Sequence, residues 1–374
     1  MSYNWQQPDW PDFKYDQQAV EDALFTFAEE TGHISGILKG LPEDIQMEAI
    51  INTMVAEAVN TSAIEGEFIS RQDVVSSIRN KLGLNPKPDP VKDKRALGAG
   101  ELMVVVRNTY AETLTKEKLF EWHQMLLKQS RGINVGAWRK AAEPMQVVSG
   151  IVGREKIHFE APPSSRVPKE MKQFIQWFND TAPGGKKEIK KAPVRSAIAH
   201  LYFESIHPFE DGNGRIGRAI AEKALSQTIG RPVLLSLSRI IEANKSVYYT
   251  ALEAAQRNNE ITDWIRYFVG TALDAQQQAR LLIEFILQKT RFFDRFRDIL
   301  NERQLKVVRK MLDTGPEGFK GGMTAKKYMS ITKASKATAT RDLQALVKMG
   351  ALVDAGGGRS THYVLRFSLK TIKG

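Results

Sequence analysis

Apolar residues recur at three- and four-residue spacing through most of this chain, which predicts a mainly helical fold. The segments with this period lie near 42–65, 93–110, 115–129, 168–180, 193–206, 214–228, 238–257 and 261–290. Clusters of proline and glycine, such as "GLNPKPDPVKDK" and "TAPGGKKEIKKAP", separate them and predict loops.

One stretch departs from the helical period. "PMQVVSGIVGREKIHF" carries β-branched clusters on both sides of a glycine-containing turn, which predicts a small β-hairpin over about Met145 to Phe159. A lone hairpin in a helical domain has little reason to exist as core. Its place upstream of His207 suggests a flap over a site.

The end of the chain has a different pattern. "NERQLKVVRKMLD", "TAKKYMSI" and "SKATATRDLQALVKMG" each predict a helix, the last with Ser335 as N-cap and Gly350 as C′ residue. "ALVDAGGGRSTHYVLRF" then alternates as a hairpin does. Three helices and a basic hairpin predict a winged helix-turn-helix domain. We therefore divide the chain into an N-terminal extension (1–82), a core (83–292) and a winged-helix domain (295–374).

Charge sets this last domain apart. The 374 residues carry a net charge of +11, yet residues 301–374 alone hold 15 Lys and Arg against 5 Asp and Glu, a net of +10. Such asymmetry indicates a polyanionic partner, and DNA is the candidate. The side chains that could meet a phosphate backbone are Lys333, Lys336, Arg341 and Arg359. Binding of a protein is the alternative for a winged helix.

Absences narrow the function classes. The chain has no cysteine, so disulfides and thiolate metal sites are excluded. Its start has no signal-peptide pattern, and no run approaches 18 apolar residues, so we expect a soluble, cytoplasmic protein without a membrane segment. There is no P-loop and no dinucleotide fingerprint, and the histidines are too scattered for a metal-ligand set.

The stretch "HPFEDGNGRIGR", residues 207–218, concentrates chemistry in twelve positions. It reads as a helix that stops at Pro208, a loop, and a new helix near Gly214. Gly212 and Gly214 let the backbone approach a ligand, and the helix start supplies free N–H donors and partial positive charge. Asn213 can add a side-chain donor. Together they predict a cradle for phosphates.

The same stretch supplies charged groups and a base. Arg215 and Arg218 are neighbours on the second helix and could neutralise a polyphosphate tail. Asp211 offers a hard oxygen ligand for Mg²⁺. His207 is suited to act as a general base near neutral pH. This inventory is typical of nucleotidyl or phosphoryl transfer.

These residues also resemble a known family. "HPFEDGNGRIGR" is similar to the Fic motif, HPFx[D/E]GNGRxxR, at every defined position. The resemblance implies a Fic core over about 80–290 and transfer of AMP from ATP to a hydroxyl of a target protein. It assigns proton abstraction to His207, Mg²⁺ to Asp211, the α- and β-phosphates to Gly212, Asn213 and Gly214, the phosphate chain to Arg215, and the γ-phosphate to Arg218.

Two further segments acquire roles by the same resemblance. The flap would pair with an extended target segment around Lys156, Ile157 and His158. "YYTALEAAQ" is similar to the helix beside the adenosine, with Tyr248 and Tyr249 as contacts, although packing in the helix core is an equal alternative for both. Homodimerisation is a further expectation from the family.

The stretch "NTSAIEGEF" carries a candidate inhibitor. A helix from about 42 ends here with Gly66 as C′ residue, which leaves Glu65 in the last turn, where the helix dipole disfavours a carboxylate unless an arginine compensates. "TSAIEG", from Thr61, matches the Fic inhibitory pattern [S/T]xxxE[G/N]. The resemblance implies that Glu65 pairs with Arg218 and occupies the place of the γ-phosphate.

Other functions stay open from the sequence. The chain could be a DNA-binding regulator whose Fic core is vestigial. The same cradle could transfer phosphate or phosphocholine. It could also remove AMP from a modified target, with Glu65 positioning a water. The intact motif favours protein adenylyl transfer, including transfer to the protein itself.

Overall fold

The computed structural model describes residues 2–149, 156–357 and 361–366. Within these ranges the chain is mainly helical, as predicted, with four short strands. The helices are α1 (Glu21–Lys39), α2 (Glu43–Ile64), α3 (Arg71–Lys81), α4 (Lys94–Asn108), α5 (Lys116–Leu127), α6 (Val167–Asp180), α7 (Ala192–Ile206), α8 (Asn213–Ile229), α9 (Leu237–Ala243), α10 (Lys245–Ala255), α11 (Thr262–Phe296), α12 (Glu302–Leu312), α13 (Ala325–Thr332) and α14 (Lys336–Lys348). The strands are β1 (Gln146–Ser149), β2 (Lys156–Glu160), β3 (Leu352–Asp354) and β4 (Tyr363–Leu365).

The chain forms two compact units. The first comprises residues 1–35 and 50–279, and the second comprises residues 36–49 and 280–374. The domain boundaries expected from the sequence stay a prediction. In the described part of the chain, no helix has both the length and the apolar character that crossing a bilayer requires.

Two packed helices form the centre of the first unit. Every residue of α7 is buried, because small or apolar residues predominate all round its sequence "APVRSAIAHLYFESI". α8 packs along it and is buried over most of its length. Arg195 is fully buried between α7 and its neighbours, where it donates to the carbonyl oxygens of Phe178 (2.8 Å) and Ala224 (3.1 Å). The packing of α8 along α7 determines where the loop between the two helices lies.

The predicted flap is present as an antiparallel pair of strands. Val147 lies opposite Phe159 and Val148 opposite Ile157, with an irregularity between the two pairs. The predicted turn of this hairpin, residues 150–155, lies outside the described residues. "The flap" below means β1 and β2.

The second unit contains α12, α13, α14 and the β3–β4 pair. Ser335 caps α14 by accepting a hydrogen bond from the Thr338 backbone N–H at 3.2 Å, and Gly350 follows in the left-handed conformation, φ +77°. Buried Asp342 ties the three helices together, because it accepts from Arg303 Nε and Tyr328 Oη, both at 2.9 Å. Arg359 lies outside the described residues.

Three features differ from the helical periodicity. Helices α1 and α3 were not expected from it. The segment expected as one helix over 238–257 is two helices, α9 and α10, because the backbone leaves the helical region at Asn244 (φ −131°, ψ 42°).

Candidate active site

The site is centred on the motif loop, residues 207–212, between α7 and α8. His207 ends α7 in the left-handed conformation (φ 51°, ψ 59°), which is uncommon for a residue with a side chain. Buried Arg139 holds this bend, since its Nε donates to the His207 carbonyl at 2.8 Å and its backbone N–H to the Pro208 carbonyl at 2.9 Å. Arg139 therefore fixes the point where the imidazole leaves the helix.

The remainder of the motif loop is held by side chains that turn inward. Phe209 is fully buried and stacks on His123, with ring centroids 4.1 Å apart. Asn213 bonds both sides of the Phe209 backbone: its Nδ2 donates to the carbonyl, and its Oδ1 accepts from the N–H, each at 2.9 Å. The Asn213 amide thus shapes the loop, a role that the sequence did not reveal.

Glycine is required where α8 begins. Gly212 is the N-cap residue and has φ +80°, a conformation that side chains disfavour. A Cβ atom at Gly214 would lie 2.2 Å from Glu65 Oε1 and 3.1 Å from Arg218 Nη1. The free N–H groups of the first turn of α8 belong to this glycine-rich segment. The Glu65 carboxylate therefore lies against the backbone at the place predicted for phosphates.

A cavity of about 750 Å³ brings most of the predicted site together. Its walls come from the motif segment (204, 207, 210–214), the end of α2 (64–66), the flap (145–148, 158, 159) and α10 with its C-cap (245, 248–250, 252, 253, 256). His207, Asp211, Gly212 and Gly214 face one space with Glu65. Four predicted residues whose side chains the structure describes lie outside this lining: Thr61, Ile157, Arg215 and Arg218.

His207 is neutral and faces a buried carboxyl. Its Nδ1 lies 3.7 Å from Glu204 Oε2, and its side chain is 15% exposed. Burial, reinforced by Arg139, lowers the pKa of His207 to about 4. Burial also raises the pKa of Glu204 to about 8, so this carboxyl is protonated at pH 7. With Nδ1 turned to Glu204, Nε2 is the ring nitrogen that can accept a proton from the cavity.

Arg218 is bound by the end of α2, as the inhibitory pattern implies. Its Nη2 donates to Glu65 Oε1 at 2.6 Å, and its Nε and Nη2 donate to Thr61 Oγ1 (2.7 Å) and the Thr61 carbonyl (3.0 Å). Burial alone would raise the pKa of Glu65, but the Arg218 guanidinium outweighs it and the pKa is lowered. The pair is ionised, and Arg218 is 2% exposed.

Arg215 has a partner that the sequence did not reveal. Its Nη1 lies 2.8 Å from Glu67 Oε2, two residues beyond Glu65, and its Nη2 lies 3.6 Å from Asp211 Oδ1. Arg215 and Glu67 both line a second cavity of about 590 Å³. The segment after α2 therefore engages both arginines of the motif, one carboxylate for each.

Tyr248 and Tyr249 differ in exposure, which bears on the two alternatives for them, packing in the helix core and contact with a ligand. Tyr248 is 1% exposed, and its Oη lies 2.9 Å from His200 Nε2, so it packs mainly in the core while it borders the cavity. Tyr249 is 37% exposed and is the tyrosine that can lie against a ligand. Lys245, which the sequence did not single out, lines the same wall and donates to the Ile64 carbonyl.

The outer edge of β2 is already in use. The carbonyl of His158 accepts from Arg257 Nη2 at 2.8 Å, and the carbonyl of Glu160 accepts from Trp5 Nε1 at 2.7 Å. Ile157, which precedes His158, is 47% exposed. The predicted pairing of a target along β2 therefore has room near Ile157, and not over the whole strand.

Asp211 fits a magnesium ion bound together with phosphates. Its side chain is 53% exposed and lines the main cavity. Across the described residues, no group of three or more His, Cys, Asp or Glu side chains is arranged to hold a metal. Mg²⁺ commonly takes one or two carboxylates and completes its shell with water and substrate phosphates, which a single Asp211 permits.

Sequence reasoning missed Arg139, Glu67 and Glu204. Glu204 had one usable signal, since it lies three residues before His207 on the same helix and therefore on its face. Arg139 and Glu67 contact the motif from segments far away in the chain. No spacing within the sequence could have indicated those contacts.

Comparison with known proteins agrees with this geometry. Residues 113–225 match the model of the Fic/DOC family, and residues 3–84 match that of a domain of unknown function, DUF4172. Protein adenylyltransferase Fic of Nematostella vectensis is 24% identical over 211 residues, 56% of this chain and 44% of that protein. A probable protein adenylyltransferase of Aquifex aeolicus (strain VF5) is 32% identical over 98 residues, 26% of this chain and 27% of that protein.

A solved structure resembles nearly the whole chain. A Fic family protein from Desulfovibrio desulfuricans G20 superposes with a TM-score of 0.54 at 18% identity, covering 95% of this chain and 98% of that one. This likeness concerns the fold. Fold and motif loop together define a Fic domain. The chain therefore contains a Fic/DOC domain over residues 113–225, and it spans less than half the length of the two curated relatives above.

Proposed function

We propose that this protein transfers AMP from ATP to a serine, threonine or tyrosine hydroxyl of a target protein, and to itself. The observation that carries the proposal is the shared cavity, in which neutral His207 and the glycine-flanked start of α8 face each other. The curated relatives are named adenylyltransferases, which supports the same reaction.

The geometry suggests the role of each residue. A target hydroxyl enters the cavity and gives its proton to His207 Nε2 as its oxygen forms a bond to the α-phosphorus. The bond from that phosphorus to the oxygen bridging to the β-phosphorus breaks, and pyrophosphate leaves. Backbone N–H groups from Gly212 to Gly214 bind the phosphate oxygens. Asp211 would hold Mg²⁺, which neutralises phosphate charge when bound.

In the conformation described, the proposed enzyme is autoinhibited. Arg218 would bind the γ-phosphate, but its guanidinium is held by Glu65 at 2.6 Å. Arg215 would bind the phosphate chain, but Glu67 holds it at 2.8 Å. Activity then requires the segment after α2 to withdraw, and both arginines become available together.

Labelled ATP tests the proposal. Glu65→Gly protein is incubated with ATP labelled at the α- or the γ-phosphate. Protein labelled only from the α position supports AMP transfer, and label from the γ position would instead make the protein a kinase. Adding His207→Ala should abolish the label. Release of AMP from pre-labelled protein by the wild type, and not by Glu65→Gly, would favour removal of AMP.

For the second unit we propose a winged helix that binds DNA. Lys333 ends α13 in the left-handed conformation (φ 60°), as a tight turn between two helices requires, and Lys336 and Arg341 are exposed on α14. The net charge of +10 in residues 301–374 supports a polyanionic partner. Duplex DNA affinity should fall steeply with salt, and Arg341→Glu should weaken it. Salt-independent or absent DNA binding would favour a protein partner.

A further inference from the structure

The first residues of the chain are bound tightly although they form little regular structure. Chain termini are usually poorly ordered unless specific contacts hold them. Here Asn4 is fully buried and Trp5 is 9% exposed. We call residues 3–14 the N-terminal strap. They lie within the segment that matches a domain without a known function.

The strap packs against β2 of the flap and donates a hydrogen bond to it. Trp5 Nε1 donates to the Glu160 carbonyl of β2 at 2.7 Å, and the Tyr3 ring meets Phe159 edge-on, with centroids 5.0 Å apart. Trp5, Phe159 and Ala161 form a small buried cluster. Val147 of β1 and Met145, which precedes β1, pack against this cluster. A two-stranded hairpin alone is marginally stable in water, so it needs such support.

Asn4 of the strap also contacts the last turn of α7, directly before the motif loop. Asn4 Nδ2 donates to Ser205 Oγ at 2.9 Å, and Ser205 lies two residues before His207. The Asn4 backbone N–H donates to the carbonyl of Gln256, the C-cap of α10, at 2.9 Å. Two adjacent residues thus join the flap, α7 and α10, and each of these elements forms a wall of the main cavity.

We propose that Asn4 and Trp5 act as positioning residues that hold the flap at a fixed distance from His207. This inference rests on the proposed function, because the flap would present the target hydroxyl to His207. Among the described residues, the strap makes no hydrogen bond to the glycine segment of α8. It should therefore influence the rate of transfer to protein and leave nucleotide affinity alone.

The test compares two tryptophans of the strap. In the Glu65→Gly background, Trp5→Phe keeps a ring but removes the donor to β2. Trp10→Phe is the matched control, because its Nε1 donates to Glu170 Oε2 of α6 at 2.9 Å instead. Amide hydrogen exchange of β2, the maximal rate of self-modification and the ATP concentration for half-maximal rate are measured in each.

We expect Trp5→Phe to speed exchange in β2 and to lower the maximal rate about 3- to 10-fold, since one hydrogen bond is lost, with an unchanged half-saturating ATP concentration. Trp10→Phe should alter neither. Unchanged β2 exchange in Trp5→Phe would overturn the inference, as would faster exchange with an undiminished rate, or a parallel loss of ATP affinity.

A second variant tests the inference independently if Trp5→Phe does not fold. Asn4→Ala removes the bond to Ser205 and should lower the maximal rate in the same way, with ATP affinity retained. If the Glu65→Gly parent transfers no AMP, the proposed function has failed, and the exchange of β2 in the variants alone decides whether the strap holds the flap.

Discussion

In the proposed enzyme, replacing Glu65 by glycine should remove the carboxylate that holds Arg218. The carboxylate makes one short, charge-assisted bond to Arg218, at 2.6 Å. A hydrogen bond to a charged group contributes about 1.5–3 kcal/mol. The guanidinium would keep its two bonds to Thr61, so Arg218 should stay near its present position in the variant.

The size of the activation follows from that bond. Every 1.4 kcal/mol changes an equilibrium about tenfold, so a contact worth about 1.5–3 kcal/mol leaves roughly one molecule in 10 to one in 150 able to bind the γ-phosphate. Glu65→Gly should therefore raise the rate of AMP transfer by about 10- to 150-fold. It should also unfold at a lower temperature without ATP, because Arg218 loses its buried counter-charge.

The assay is the initial rate of protein labelling from α-labelled ATP with Mg²⁺. Wild type and Glu65→Gly are compared with Glu188→Gly, in which an exposed loop glutamate outside the cavity lining makes the same chemical change. The control should match the wild type. Equal rates for all three proteins would refute inhibition by Glu65, and a slower Glu65→Gly would indicate that this carboxylate takes part in the reaction.

Three further outcomes are expected. Glu67→Gln should free Arg215 and lower the ATP concentration for half-maximal labelling about 2- to 10-fold, because one bond to a charged group is weakened; unchanged ATP dependence would remove Glu67 from the inhibitor. Because burial keeps the pKa of His207 at about 4, the rate of Glu65→Gly should stay level from pH 7 to about 5, below the ionisation of Glu204, and an inflection at pH 6.5 would show a solvated imidazole. Burial raises the pKa of Glu204 from 4.5 to about 8, so the folded state holds a proton that the unfolded chain releases, and stability falls as pH rises through this window. Urea denaturation at pH 6 and 9 should show that Glu204→Gln abolishes a loss of up to about 3 kcal/mol.

The helical fold could be predicted where one face of each helix is buried. Helix α1 was not predicted because Gly32 and Gly36 interrupt it and exposed Phe25 obscures the period that buried Phe27 and Ile34 follow. Helix α3 escaped because its buried positions are Val74, Ser77 and Ile78, too few to establish a period. The break at Asn244 was hidden, since the apolar period continues across it.

The candidate site divides in the same way. The residues that share a local motif, His207 to Arg218, could be placed from the sequence because a loop and a helix start carry them together. Asn213 was placed correctly at the cavity, but the use of its side chain inside the loop depends on Phe209. Arg139 and Glu67 reach the motif only through the tertiary fold, which no local pattern encodes.

The absence of a side chain at Gly214 joins two tasks that are usually separable. A Cβ atom there would lie 2.2 Å from Glu65 Oε1, which would have to move, and 3.1 Å from Arg218 Nη1, which is a tight contact. In the proposed enzyme, a larger residue would displace the Glu65 carboxylate only by entering the place where the substrate's phosphates would bind. A substitution that relieves the proposed inhibition and keeps this place free therefore has to lie at the end of α2, outside the motif loop.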